Sequence, residues 1–173
     1  MAAIEAIATT YLEADAATVT FSSIPATYEH LQLRMNVRTV RASALETVGI
    51  RFNGDTAGNY ATFRIVGQDG TPLVGTEASQ TRAYAAGQMP TTTSASPLYG
   101  AGLVEILDYA NTNKNTTILF FSGELDATYP YVTFGSGLWD ATAAVATILL
   151  YPANASAGFT RGSSFTLYGL NSS

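Results

Sequence analysis

Few groups in this sequence could do chemistry: one histidine, no cysteine, thirteen carboxylates and eight bases in 173 residues. His30 shares the face of an alternating stretch with Gln32 and Arg34. A catalytic base needs a nucleophile or an orienting carboxylate placed beside it, and no motif here supplies one. His30 therefore reads as a partly exposed contact residue. One His and no Cys leave no ligand set for zinc. Glu124 and Asp126 would share a face if their segment is extended, the arrangement a glycosidase needs. A lone pair beside a loop is more often simply solvated, and Glu105 and Asp108 fall on opposite faces. Gly135-Ser136-Gly137 is too short for a nucleophile elbow. Asn53-Gly54-Asp55-Thr56 starts like a calcium loop, but the later acidic ligands and closing Glu are missing, so it reads as a turn. Asn115-Thr116-Thr117 matches a glycosylation sequon, which means nothing without secretion. No catalytic residue, metal ligand or cofactor site is assigned, and the expectation is a protein that is not an enzyme.

The residues that could make contacts are more suggestive. Arg34 and Arg38 are expected on the outward face of one strand, about 13 Å apart at the usual rise. Arg41 follows closely. They either stand on a solvated face or pair with carboxylates of a partner chain. Tyr60, Tyr84, Tyr99 and Tyr129 fall near expected turns or loops, where a ring can anchor an interface. Tyr28 and His30 complete the candidate contact set.

Composition points the same way. Charged residues are 12% of the chain, against roughly 25% in an average soluble domain. Lys114 is the one lysine; every other base is Arg, whose weakly hydrated fork suits interfaces. Such a surface has little electrostatic protection against self-association. It is either covered by partners, the preferred reading, or belongs to a robust extracellular β-domain. A net charge of −5 argues against nucleic acid, which needs a clustered basic stripe. No apolar run reaches the ~18 residues of a membrane span. The start, Met1-Ala2-Ala3-Ile4-Glu5, lacks the basic and apolar regions of a signal peptide. The length fits one domain over residues 1–173.

The elements that must position these groups have period two. In His30–Arg38 the apolar residues fall at 31, 33, 35 and 37, with polar residues between. That is a strand with one face in the core. Similar segments occur at 48–52, 61–65, 103–109, 131–134, 143–151 and 164–170. Thr116–Ser122 is apolar in both registers and is expected to be buried on both faces. Asn53-Gly54-Asp55, Asp69-Gly70, Asn111-Thr112-Asn113 and Gly135-Ser136-Gly137 read as turns. Met89–Gly100 reads as a surface loop. Residues 3–12 are expected to be an extended arm or strand within a terminal region 1–16, followed by a turn and a strand at 18–22. The spacing of Ile4, Ile7 and Tyr11 keeps a short helix as the alternative. Many short strands with such breaks make a sandwich or barrel.

Several stretches resemble a group of small virion proteins of tailed phages, of the type common in marine and cyanobacterial phages. They are Phe21-Ser22-Ser23-Ile24-Pro25-Ala26-Thr27-Tyr28-Glu29-His30-Leu31-Gln32-Leu33, Arg51-Phe52-Asn53-Gly54-Asp55 with Asn59-Tyr60, and Glu105-Ile106-Leu107-Asp108-Tyr109 with Lys114-Asn115-Thr116. Ser136-Gly137-Leu138-Trp139 and Ser164-Phe165-Thr166-Leu167-Tyr168-Gly169-Leu170 extend the likeness to the end of the chain. The resemblance implies an all-β, jelly-roll-like β-sandwich, for which about 8–10 antiparallel strands are expected. It further implies a capsid decoration, or cement, protein on the outer surface of the virion, made in the host cytoplasm. The expected partners are the major capsid protein and copies of the chain itself, as a homotrimer, with no nucleic acid and no membrane. The alternative is a tail-fibre or receptor-binding module that contacts host surface glycan.

Overall fold

A computed structural model describes residues 3–68, 70–125, 130–154 and 157–172. Among them run twelve strands: β1 (Ile4–Tyr11), β2 (Val19–Phe21), β3 (His30–Val37), β4 (Glu46–Phe52), β5 (Tyr60–Gln68), β6 (Thr71–Gln80), β7 (Ala83–Met89), β8 (Gly100–Leu107), β9 (Thr116–Leu125), β10 (Pro130–Trp139), β11 (Ile148–Pro152) and β12 (Ser164–Leu170). They form an eight-stranded sheet, β1-β12-β3-β8-β9-β10-β5-β6, and a four-stranded sheet, β2-β11-β4-β7. Every pairing is antiparallel.

The pairings have a simple logic. β1 pairs with β12, β2 with β11, β3 with β8 and β4 with β7. The chain is thus one long antiparallel ribbon, and successive pairs go alternately to the two sheets. That wrapped ribbon of eight strands is a jelly roll. The count exceeds the expected 8–10 because two further hairpin pairs are added. β5–β6 sits between β4 and β7, and β9–β10 sits between β8 and β11. Both additions join the same sheet, beyond β8.

The alternation of β3 is realised: Leu31, Leu33 and Val37 are fully buried, while Arg34 and Asn36 are exposed. Val48, Ile50 and Phe52 of β4 are fully buried in the same core. Residues 4–11 form a strand hydrogen-bonded to β12, which excludes the helix. A bulge between Ala6 and Ala8 shifts the register, and Ile7 packs partly against the core. Ile4, Ile7 and Tyr11 therefore do not share one face: Ile4 and Tyr11 are exposed on the outside of the sheet. The segment 143–151 forms a strand only over β11. Ahead of it, Asn53 Oδ1 accepts the backbone N–H groups of Ala146 and Thr147 at 2.8 and 3.0 Å, and Asn53 Nδ2 donates to the Ala144 carbonyl at 2.8 Å. That side chain supplies partners that a strand would have offered.

Three expectations fail. Gly135-Ser136-Gly137, read as a turn, lies inside β10 and is paired with β9 and β5. β9, read as buried on both faces, buries only one: Ile118 and Phe120 point inward, and Leu119 and Phe121 stand outside. β5 keeps period two but sits inside out. Thr62 and Val66 are buried, and Phe63 and Ile65 are exposed. Arg64 also turns inward, its guanidinium 4.8 Å from the Tyr84 ring centroid and 2.8 Å from Glu77. Alternation marks two faces of a strand; it does not say which one the second sheet will cover.

Candidate assembly interface

The outer face of the eight-stranded sheet divides in two. Over β1, β12, β3 and β8 it is mixed, with Ile4, Tyr11 and Leu107 exposed among polar and charged groups. Thr9 donates to the Thr166 hydroxyl at 3.1 Å, and Arg34 Nε donates to Gln32 Oε1 at 2.7 Å. The Arg34 guanidinium lies 5.0 Å from the Tyr168 ring centroid, and Gln32 donates to Glu105. Over β9, β10, β5 and β6 the same face is apolar. β9 contributes Leu119, Phe121 and Leu125, and β10 contributes Val132, Phe134 and Leu138. β5 adds Phe63 and Ile65, and β6 adds Val74.

These nine side chains are between 36% and 80% exposed. At roughly 150–200 Å² for a large apolar side chain, the open apolar area is on the order of 800 Å². The largest patch on an ordinary monomer is smaller, about 300–600 Å², and larger ones mark interaction sites. The outward positions of these four strands, among the described residues, are filled by apolar residues, Gly, Ser and Thr, with no ionisable group.

The sequence reading missed this surface. Its signal was nevertheless present: Leu119 and Phe121 are as apolar as Ile118 and Phe120 beside them, so β9 requires two covers. One cover is the second sheet. Among the described residues, none supplies the other.

The residues singled out from the sequence scatter. Arg34 and His30 lie on the mixed half of the sheet or at its end. His30 Nδ1 accepts the Asp108 backbone N–H at 3.0 Å and lies 3.5 Å from the Asp108 carboxylate, which also pairs with Lys114. Arg38 does not share the outward face of Arg34. The strand ends at Val37, and Arg38 is buried, donating to the carbonyls of Ser94, Ala95 and Leu98 at 2.9, 3.1 and 3.3 Å. It holds the 90–99 loop to the sandwich. Arg41 is half-buried, bonded to the Leu45 carbonyl at 3.0 Å and 3.5 Å from buried Glu46. Burial pushes the Glu46 carboxyl up from its ordinary value, against the opposing pull of the Thr47 N–H and Arg41.

The tyrosines divide likewise. Tyr60 is a core residue rather than a loop anchor: it is 1% exposed and stacks on Trp139 at 6.4 Å. Tyr84 lies in β7, buried, with its hydroxyl donating to Glu77 at 2.6 Å. Both are corrections to the expected loop positions, because burial of the ring outweighs the nearness of a turn in sequence. Tyr99 is half-buried and donates to the Arg161 carbonyl at 2.6 Å. Tyr28 lies flat on Gly169, where a Cβ would come within 2.2 Å of the ring. Tyr129, Asp126 and Asp69 fall outside the described residues. The Glu124–Asp126 pairing therefore has no described geometry.

No protein-family model, curated protein or solved structure matches the chain.

Proposed function

We propose that this chain is a non-enzymatic structural protein of a tailed-phage virion. It acts as a decoration, or cement, protein that binds the assembled shell from outside as a homotrimer and stabilises it. One observation carries this reading: an uncharged apolar sheet face larger than a free monomer ordinarily leaves open. The resemblance to phage virion proteins and the jelly-roll wrap agree with it. A protein that binds only the assembled shell stabilises it by linkage, and contacts to several shell subunits at once multiply weak affinities. The glycan-binding alternative drew on tyrosines in loops, and it is weaker with Tyr60 and Tyr84 inside the sandwich.

Quantitative mass spectrometry of purified virions tests the proposal. Copies in the hundreds per particle are expected, on the scale of an icosahedral shell's local axes. A dozen or two copies would place the chain on the tail and overturn the reading.

A further inference from the structure

We propose that copies of this chain meet through the outer face of β9, β10, β5 and β6, with a ridge on one copy seated in a trough on its neighbour. This rests on the reading of the chain as an assembly component, and it commits that face to a second copy.

The ridge is a single cross-strand row. Val74 lies opposite Ile65, Ile65 opposite Phe134, and Phe134 opposite Phe121. Residues paired this way point to the same side of a sheet, so four large side chains from four strands stand in line. Two residues further along each strand, about 7 Å away, lies the next outward row. It reads Pro72, Gly67, Val132, Gly123 and, on β8, Ala101. Two of those five have no side chain and a third has only a methyl. The result is an open trough of about 1000 Å³, bounded by Tyr99 and Leu125. A row of bulk and a row of absent bulk, parallel and adjacent, are complementary in shape to each other.

Charge selects the occupant. The chain carries a net −5, so copies repel one another over most approaches. The outward side chains of the ridge and of the row beside it carry no charge, and Glu124, which also lines the trough, is only 7% exposed, so this face meets its own copy with little opposition of like charges. A charged partner surface would instead lose hydration here and find no counter-charge. The open apolar area of about 800 Å² equals what one partner contributes to a standard interface. The margin of the patch is β6, a ten-residue edge strand guarded by Pro72, Glu77 and a bulge in its pairing with β5, which disfavours edge-to-edge pairing and leaves the face as the route to a neighbour.

The test is light scattering of the full chain at micromolar concentration, with two variants. In Gly67→Tyr the new side chain fills the trough. A Cβ at Gly67 meets nothing of its own chain closer than 3.8 Å, so the fold tolerates it. In Phe134→Glu a charge enters the ridge. The wild type is expected to scatter as an oligomer. Each variant should fall to the 18.2 kDa of one chain while keeping its circular dichroism and melting transition. Should Phe134→Glu fail to fold, Gly67→Tyr decides alone. The inference is overturned if the wild type is already a single chain, or if the folded variants keep the wild-type mass. An oligomer that dissociates in the variants yet is missing from virions upholds the face and removes the virion reading. Virion copies in the hundreds alongside a monomer in solution do the reverse.

Discussion

Tyr60 carries a polar atom deep into the sandwich. Its hydroxyl accepts the Phe52 N–H at 3.0 Å, and the Phe52 and Asp55 carbonyls, each at 3.4 Å, are in reach of its own proton. Trp139, stacked against the ring, donates its indole N–H to Asp55 at 2.7 Å. That bond, with those from Asn59 and the Ala57 N–H, holds the Asp55 carboxyl below its ordinary range. Removing the Tyr60 hydroxyl leaves a buried N–H without its acceptor, so Tyr60→Phe should cost about 1–3 kcal/mol in a denaturant titration. The hydroxyl also has an alkaline signature. Burial pushes Tyr60 up from 10.0 to about 12. The folded chain then keeps a proton that the unfolded chain has released. Stability from this group is complete below pH 10 and is lost as pH rises from 10 towards 12, at about 1.4 kcal/mol per pH unit. Burial shifts Tyr84, Tyr109 and Tyr151 the same way, so Tyr60→Phe should flatten part of the alkaline decline. An alkaline slope identical to the wild type would contradict this assignment.

β9 carries an inner and an outer apolar face on one strand. Phe120 is 1% exposed and packs between the sheets, and Phe121 beside it is 49% exposed. Inward and outward side chains of this strand should therefore behave differently. Phe120→Ala should lower the unfolding free energy by about 3–5 kcal/mol, through lost transfer energy and the cavity left behind. Leu119→Thr, on the outer face, should change the stability of the dissociated chain by less than about 1 kcal/mol. Denaturant titrations at nanomolar concentration measure both. Comparable losses for the two variants would mean that the outer face is covered by the chain itself. β5 makes the same point with its polarity reversed. Arg64 is tolerated inward because Glu77 neutralises it and the Tyr84 ring covers its guanidinium.

At the scale of the molecule, the last strand closes the structure. β12 lies between β1 and β3, pairing Leu170 with both Ile4 and His30. Contacts this distant in sequence must wait until most of the chain is made, and folding over milliseconds to seconds is expected for such topology. A chain ended before Ser164 would leave β1 detached and one edge of β3 open inside the sheet. It should show no cooperative thermal transition by circular dichroism, although eleven of the twelve strands remain. A truncated chain that melts sharply would mean that the jelly-roll wrap is stable without its closing strand.

The residues alone were enough for the all-β class, for most strand positions and for the scarcity of catalytic groups. Those properties are local: period two in His30–Val37, turn chemistry at Asn53-Gly54-Asp55, one His and no Cys. Low charge and a single lysine also pointed to a covered surface before any fold was known, whereas β9 read only as a strand buried on both faces. Tertiary structure decided which of two alternating faces turns inward, because that choice depends on where a distant strand lies. It sent Arg38 to the 90–99 loop, Tyr60 and Tyr84 to the core, and Phe63 and Ile65 to the outside. The ridge and trough likewise exist only in the folded sheet. Val74, Ile65, Phe134 and Phe121 come from four strands that align through register, and register is set between strands rather than along one.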